Sequence, residues 1–217
     1  MQHDLFATDD TQHWALADDG WLTLHTAVFE THEADQLLMT LKAELDWQQS
    51  RIRIAGRELP IPRLNAWYGD ADADYGYSGI ALAPLPWTPE LTTVRQAVQQ
   101  RCDHGFNSVL ANLYRDGQDS VAWHADDEKA LGRNPVIASV SLGGTRRFQL
   151  KHRRDKTLSR IDLDLPHNSL LVMGGALQHH WVHAVPKTRK PCDARINLTF
   201  RRIITPAQST GETTHYP

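Results

Sequence analysis

Apolar residues recur at helical spacing in two stretches of this chain and at alternate positions in most of the rest. In "HEADQLLMTLKAELDW" Ala34, Leu37, Leu38, Leu41 and Leu45 share one face, with Thr31 placed to cap it. In "TPELTTVRQAVQQRC" Thr88 is the N-cap candidate and Pro89 takes the first helical position, ahead of Leu91, Val94 and Val98. Between these two amphipathic helices, Ile52 and Ile54 alternate with Arg51 and Arg53 before a turn at Gly56, which predicts a hairpin followed by a loop rich in Tyr, Gly and Asp. From about Asn107 the period falls to two. "NSVLANLY", "SVAWH", "VIASVSLG", "RRFQLKH", "RIDLDL", "SLLVM", "HHWVHAV" and "ARINLTFRR" are separated by Gly, Pro and Asn signals. Eight short alternating strands predict a mainly β fold with flanking helices: an antiparallel double-stranded β-helix (jelly-roll) core, its outer face covered by the helices, and an N-terminal helical and hairpin lid region. The expected divisions are an acidic N-terminal arm and first helix (1–50), a lid hairpin, loop and second helix (51–106), the jelly-roll core (107–204) and a flexible tail (205–217).

Composition adds bounds. A length of 217 residues suits one domain with a sizeable core. The two cysteines, Cys102 and Cys192, show neither zinc-site spacing nor disulfide density, so a reducing cytoplasm is expected; a monomer is expected as well. No basic region followed by an apolar run opens the chain, and no stretch approaches the roughly 18 apolar residues of a membrane span. Charge is uneven. Residues 1–50 hold ten acidic side chains against Lys42 alone, a balance of −9, which leaves +6 for residues 51–217. Arg146, Arg147, Lys151, Arg153, Arg154, Lys156 and Arg160 cluster with only Asp155 among them. Such a patch suits a phosphate backbone. A solvated loop and strand edge would read the same way.

Alternation also sorts polar residues by face. In "ARINLTFRR" Arg195, Asn197, Thr199 and Arg201 lie opposite Ile196, Leu198 and Phe200. Either this is an edge strand with its wet side outward, or the polar face points into the barrel, where two guanidinium groups require anionic partners such as a small dicarboxylic acid. Asn112 and Tyr114 share a face of an otherwise apolar strand. His124 and Asp126, in "WHADDE", project together. Alone this pair means little, because 12 histidines and 26 acidic residues yield about one such spacing by chance. With a downstream histidine it becomes the two-histidine, one-carboxylate triad that leaves open positions on Fe(II). Spacing leaves the choice of that histidine open: His179 and His183 fall on one face of a predicted strand and His180 on the other, while His152 and His167 read as patch and loop residues.

Taken together, "PRLNAWYGD", "YGYSG", "FNSVLANLYRDGQDSVAWHADDE", "PVIASVSLGGTRRF", "NSLLVMGG", "HHWVHAVPK" and "ARINLTFR" resemble, in order, the AlkB family of Fe(II)/2-oxoglutarate-dependent nucleic-acid dealkylation dioxygenases, and particularly the branch similar to the animal DNA-repair members. The likeness runs from about Pro62 to Ile203. It implies that His124, Asp126 and His183 are the catalytic iron ligands, His183 standing at the histidine of the family's H-W-x-H-x-(V/L)-P stretch. It further implies that Arg195 and Arg201 bind the carboxylates of 2-oxoglutarate, helped by Asn112, Tyr114, Asn197 and Thr199. Tyr75 and Tyr77 match the lid's aromatic pair that handles the target base, Asp127 the residue that reads the base's exocyclic amine, and Glu128 its support.

The implied cofactors are Fe(II), 2-oxoglutarate as co-substrate, and O2. The implied reaction hydroxylates a methyl group on a ring nitrogen, of the 1-methyladenine or 3-methylcytosine type, and releases formaldehyde and succinate. The implied partner is nucleic acid: alkylated DNA, with RNA as a second candidate. One departure bears on the substrate. Where duplex-acting relatives carry an aromatic wedge in the hairpin, this chain has Ala55, and a methyl group cannot fill the gap left by a flipped nucleotide. Single-stranded or locally melted substrate is therefore expected. Two rival readings are the same iron chemistry on a protein side chain, lipid or metabolite, and a catalytically silent nucleic-acid-binding jelly roll.

Overall fold

The structure is a computed structural model, and it describes residues 11–54, 56–73, 75–77 and 80–204. Its elements run β1 (Thr11–Ala15), β2 (Gly20–His25), α1 (Thr31–Glu44), β3 (Arg51–Ile54), β4 (Arg57–Pro60), β5 (Leu64–Gly69), β6 (Tyr75–Tyr77), β7 (Ile80–Leu82) and α2 (Pro89–Cys102). Then come β8 (Ser108–Tyr114), β9 (Val121–His124), β10 (Ile137–Gly143), β11 (Arg146–His152), β12 (Ile161–Leu165), β13 (Ser169–Gly175), α3 (Leu177–His180), β14 (Trp181–Val185) and β15 (Arg195–Arg201).

All eight strands expected after Asn107 are present, and they divide between two antiparallel sheets. The major sheet is ordered β1-β2-β13-β10-β15-β8-β5 and the minor sheet β12-β11-β14-β9. Parity decides what each face meets. On β15, Ile196, Leu198 and Phe200 pack with Leu37 and Leu41 of α1 and Leu91, Val94 and Val98 of α2 in one core, which buries the outer face of the major sheet. A second core lies between the sheets and contains Phe148 and Leu150 from β11, Leu171 and Met173 from β13, and Val185 from β14. Because β15 sits centrally between β10 and β8, its polar face is buried inside the barrel. Of the two readings left open by the sequence, this removes the wet-edge one. No helix among the described residues is long and apolar enough to cross a membrane.

Helix α2 is capped as its sequence predicts, with Leu91 N donating to Thr88 Oγ1 at 3.2 Å. Helix α1 is not. Thr31 is its first residue, and Glu30 at the N-cap makes no side-chain cap bond. Asn168 secures the approach instead. Its Oδ1 accepts from Val28 N and Phe29 N at 3.2 and 3.0 Å, and its Nδ2 donates to Phe29 O at 2.6 Å.

Two features depart from the pattern-based expectation. The acidic arm contributes the β1–β2 hairpin, whose β2 pairs with β13 and so lengthens the major sheet. Its tight turn places Asp18 and Asp19 at φ 59° and 57°, the left-handed region that such two-residue turns require. The tip seats against Gly175, itself at φ 63°, where an added Cβ would lie 2.0 Å from the Asp19 carbonyl oxygen. The segment "HHWVHAV" is not one strand: His179 and His180 belong to α3, and the strand begins at Trp181. Assigning these two histidines to strand faces is thereby corrected.

The basic stretch is also partly neutralised by carboxylates outside it. Arg146 is 2% exposed and points inward. Arg147 pairs with Asp162 and Asp164, Arg160 with Asp162, and Arg153 with Asp127. Lys151 lies over the Trp123 ring at 4.2 Å. Strand β12 supplies Asp162 and Asp164 and the segment after β9 supplies Asp127, so the patch visible in one window of sequence is partly offset by its neighbours.

Candidate active site

Strands β9 and β14 are neighbours in a register that sets His124 opposite His183, with ring centroids 4.3 Å apart. Asp126, two residues beyond His124 and 3% exposed, brings Oδ2 to 3.9 Å from His183 Nε2. One ligand atom from each of these three residues lies within 4.8 Å of the other two. The three predicted ligands, two from the end of β9 and one from the distant β14, thus meet at one point between the sheets.

The surroundings prepare these groups as donors to a cation. His124 Nδ1 is 2.8 Å from Ala122 O. A carbonyl only accepts, so Nδ1 carries a proton and Nε2 is the nitrogen left to face a metal. For His183, burial first and then the neighbouring His124 push the imidazolium down to about 3, so the ring is neutral. Burial pushes the Asp126 carboxyl upward, but the charge of Arg201, with His183 and His124, outweighs it and holds the group at about 2. Arg201 Nη2 donates to Asp126 Oδ1 at 2.7 Å. Two imidazoles and one ionised carboxylate are the donor set suited to ferrous iron.

A second grouping, Asp18 with His152 and His180, has comparable spacing but different chemistry. Asp155 N donates to His152 Nδ1 at 2.8 Å, so that nitrogen is bare. His152 Nε2 must then hold the proton that it shares with Asp18 Oδ2 at 2.8 Å. The nitrogen facing the cluster is protonated and offers no lone pair.

Deeper in the barrel, Arg195 is 1% exposed. Its Nη2 donates to Ser141 Oγ at 2.8 Å and its guanidinium lies over the Tyr114 ring at 5.2 Å. Its Nε and Nη1 have no partner among the described residues. Burial lowers this guanidinium to about 10, and it stays charged near neutrality. A buried cation with two unused donors fits a carboxylate that this chain does not supply.

The other predicted co-substrate residues line the same cavity with bonds already made. Asn197 Nδ2 donates to Ser139 Oγ at 2.7 Å and Val140 O at 3.1 Å, and Thr199 Oγ1 donates to Asn197 Oδ1 at 3.1 Å. Asn112 Oδ1 accepts from Arg63 Nε at 2.7 Å. Arg63, Ser139, Ser141 and Gln178 were not foreseen. Arg63 sits in "PRLNAWYGD", and the serines are found by parity on β10, where they accept from Arg195 and Asn197.

At the mouth, Asp127 Oδ2 accepts from Arg153 Nη2 at 2.6 Å. Glu128 Oε2 is buried with no partner among the described residues. Tyr75 and Tyr77 fall in β6, which pairs with β7. Their side chains, and Ala55 entirely, lie outside the described residues.

Residues 21–201 match the model of the 2OG-Fe(II) oxygenase superfamily. The chain is 42% identical over 191 residues to a mouse protein (Mus musculus) named alpha-ketoglutarate-dependent dioxygenase alkB homolog 3, a match covering 83% of this chain and 65% of that one. It is 39% identical over 189 residues to the human (Homo sapiens) DNA oxidative demethylase ALKBH2, covering 83% and 72% respectively. The solved structure of OsALKBH1 is similar in fold, with a TM-score of 0.59 at 18% identity, covering 88% of this chain and 100% of that one. The chain thus spans about two-thirds of the length of the curated relatives it matches.

Proposed function

The chain belongs to the 2OG-Fe(II) oxygenase superfamily, within its AlkB branch, and from that membership we propose that it is a dioxygenase that oxidatively demethylates N-alkylated bases in DNA. The substrates are of the 1-methyladenine and 3-methylcytosine type. The relatives named as DNA oxidative demethylases support nucleic acid over a protein or small-molecule substrate.

The observation that carries the reading is the pairing of a two-histidine, one-carboxylate set with a buried guanidinium whose Nε and Nη1 are unused. His124, Asp126 and His183 would hold Fe(II), and Arg195 would hold a carboxylate of 2-oxoglutarate. When bound, iron and the 2-oxo acid supply oxidation by O2: decarboxylation to succinate and carbon dioxide, with one oxygen atom entering a methyl C–H bond of the substrate. The N-hydroxymethyl product releases formaldehyde and the intact base.

The chain's own groups orient and select. Tyr114 and Ser141 fix the Arg195 guanidinium, and a preset cation lowers the entropy lost on binding the acid. Phe148, packed at 5.2 Å on the His183 ring, keeps that imidazole from turning. Asp127 and Glu128 would receive the base. A positively charged methylated base unstacks cheaply and is favoured beside carboxylates. With Ala55 in the sequence place where duplex-acting relatives carry an aromatic wedge, single-stranded substrate is preferred, RNA being a second candidate, and the protein acts as a monomer.

The test is incubation with Fe(II), 2-oxoglutarate and methylated single-stranded or duplex oligonucleotides. The expected result is loss of one methylene's mass with equimolar formaldehyde and succinate, faster on the single strand. Succinate formed without change in any oligonucleotide would move the substrate to another class.

A further inference from the structure

Gln178 is fully buried on the four-residue helix α3, yet its amide has few polar neighbours. Its Oε1 accepts the Asp126 backbone N–H at 3.0 Å, and its Nε2 has Met173 Sδ at 3.8 Å, a weak acceptor. The backbone N–H can only donate, which settles the amide's orientation. A poorly bonded buried amide lowers stability, so leucine or methionine would fill this space better if filling were the whole task.

The main chain of the same residue reaches the other carboxylate. Gln178 O accepts from Arg153 Nη2 at 3.2 Å, and that nitrogen also holds Asp127 Oδ2 at 2.6 Å. Helix α3 is pinned in turn by the tip of the N-terminal hairpin: Ala176 N donates to Asp19 O at 3.1 Å and Trp181 Nε1 to Ala17 O at 3.2 Å.

We infer that Gln178 is a positioning residue of the metal site, its side chain setting the Asp126 backbone and its carbonyl setting Asp127 through Arg153. The inference rests on Asp126 being a metal ligand. Without the Gln178 oxygen the buried Asp126 N–H lacks an acceptor, and the segment after β9 must shift to find one. That shift carries the carboxylate away from the two imidazoles.

The experiment is calorimetric titration of Mn(II) into metal-free full-length protein, with melting followed in chelator. Gln178→Met, matched in length, is expected to weaken Mn(II) binding about 10- to 100-fold, with the metal-free melting temperature lowered by no more than the loss of one buried hydrogen bond. Gln178→Asn keeps the amide but is one methylene too short, and the same loss is expected. Undiminished Mn(II) affinity in either variant, or a lowered melting temperature with unchanged affinity, overturns the proposal. Asp126→Ala is the control: if it binds Mn(II) as the wild type does, the assignment of Asp126 as ligand is at fault, not the role of Gln178.

Discussion

Arg201 Nη2 lies 2.7 Å from Asp126 Oδ1, so the carboxylate of the triad is itself held by a guanidinium that the sequence pattern assigned to the co-substrate. Removing that cation leaves a buried carboxylate unpaired, which costs about 3–5 kcal/mol. Arg201→Met is expected to lower the stability of the metal-free protein by that order. Mn(II) should then stabilise the variant more than the wild type, since the ion supplies the missing charge. Denaturant unfolding with and without Mn(II) measures both, and equal shifts would mean the two cations do not compete for Asp126.

Arg195 separates from Arg201 in its effect. Its unused Nε and Nη1 point to a ligand and not to a protein partner. Arg195→Met is expected to raise the KM for 2-oxoglutarate roughly a hundredfold, the loss of about 3 kcal/mol of charge-assisted bonding. Mn(II) affinity should be unchanged. Steady-state kinetics against 2-oxoglutarate, with metal titration in parallel, checks the split.

Metal-free stability should depend on pH through His183. In the folded protein its imidazolium lies at about 3, whereas an unfolded histidine titrates near about 6.5. Between those values the unfolded state binds a proton that the folded state refuses. Stability is therefore full above about pH 6.5 and declines as pH falls toward 3, at about 1.4 kcal/mol per pH unit. Asp126, at about 2 when folded against about 3.9 unfolded, adds its loss only below pH 4. His183→Gln should remove the decline between pH 6 and 4 in chemical denaturation series.

Arg146 is a structural residue. It donates to Asp116 O at 3.0 Å and to Asp119 O and Pro186 O at 2.8 Å each, tying two loops to β11. Arg146→Met leaves three carbonyls without their donor. It should cost at least about 3 kcal/mol, or roughly 6–12 °C in melting temperature. The salt dependence of oligonucleotide binding should not change, whereas loss of a phosphate contact would reduce that slope by about one.

Arg146 also shows how the sequence could be read further. In "RRFQLKH" it shares parity with Phe148 and Leu150, both buried, so alternation alone set it inside, while its charge suggested the surface. The eight core strands were legible because one face of each is apolar. The strand Thr11–Ala15 was not, because it is polar and held by its ladder to β2; the Asp-Asp-Gly turn was the available signal. His183 could not be chosen over His179 by spacing, since a one-turn helix interrupts the apparent strand. Gln178 left no signal, because what it holds is a backbone N–H.

The most direct measurement is an anomalous difference map from crystals grown with Mn(II) and 2-oxoglutarate. The account predicts one strong peak bonded to His124, Asp126 and His183, with the acid's carboxylate on Arg195. A peak at Asp18, His152 and His180 instead, or none among the three residues of the triad, would contradict it.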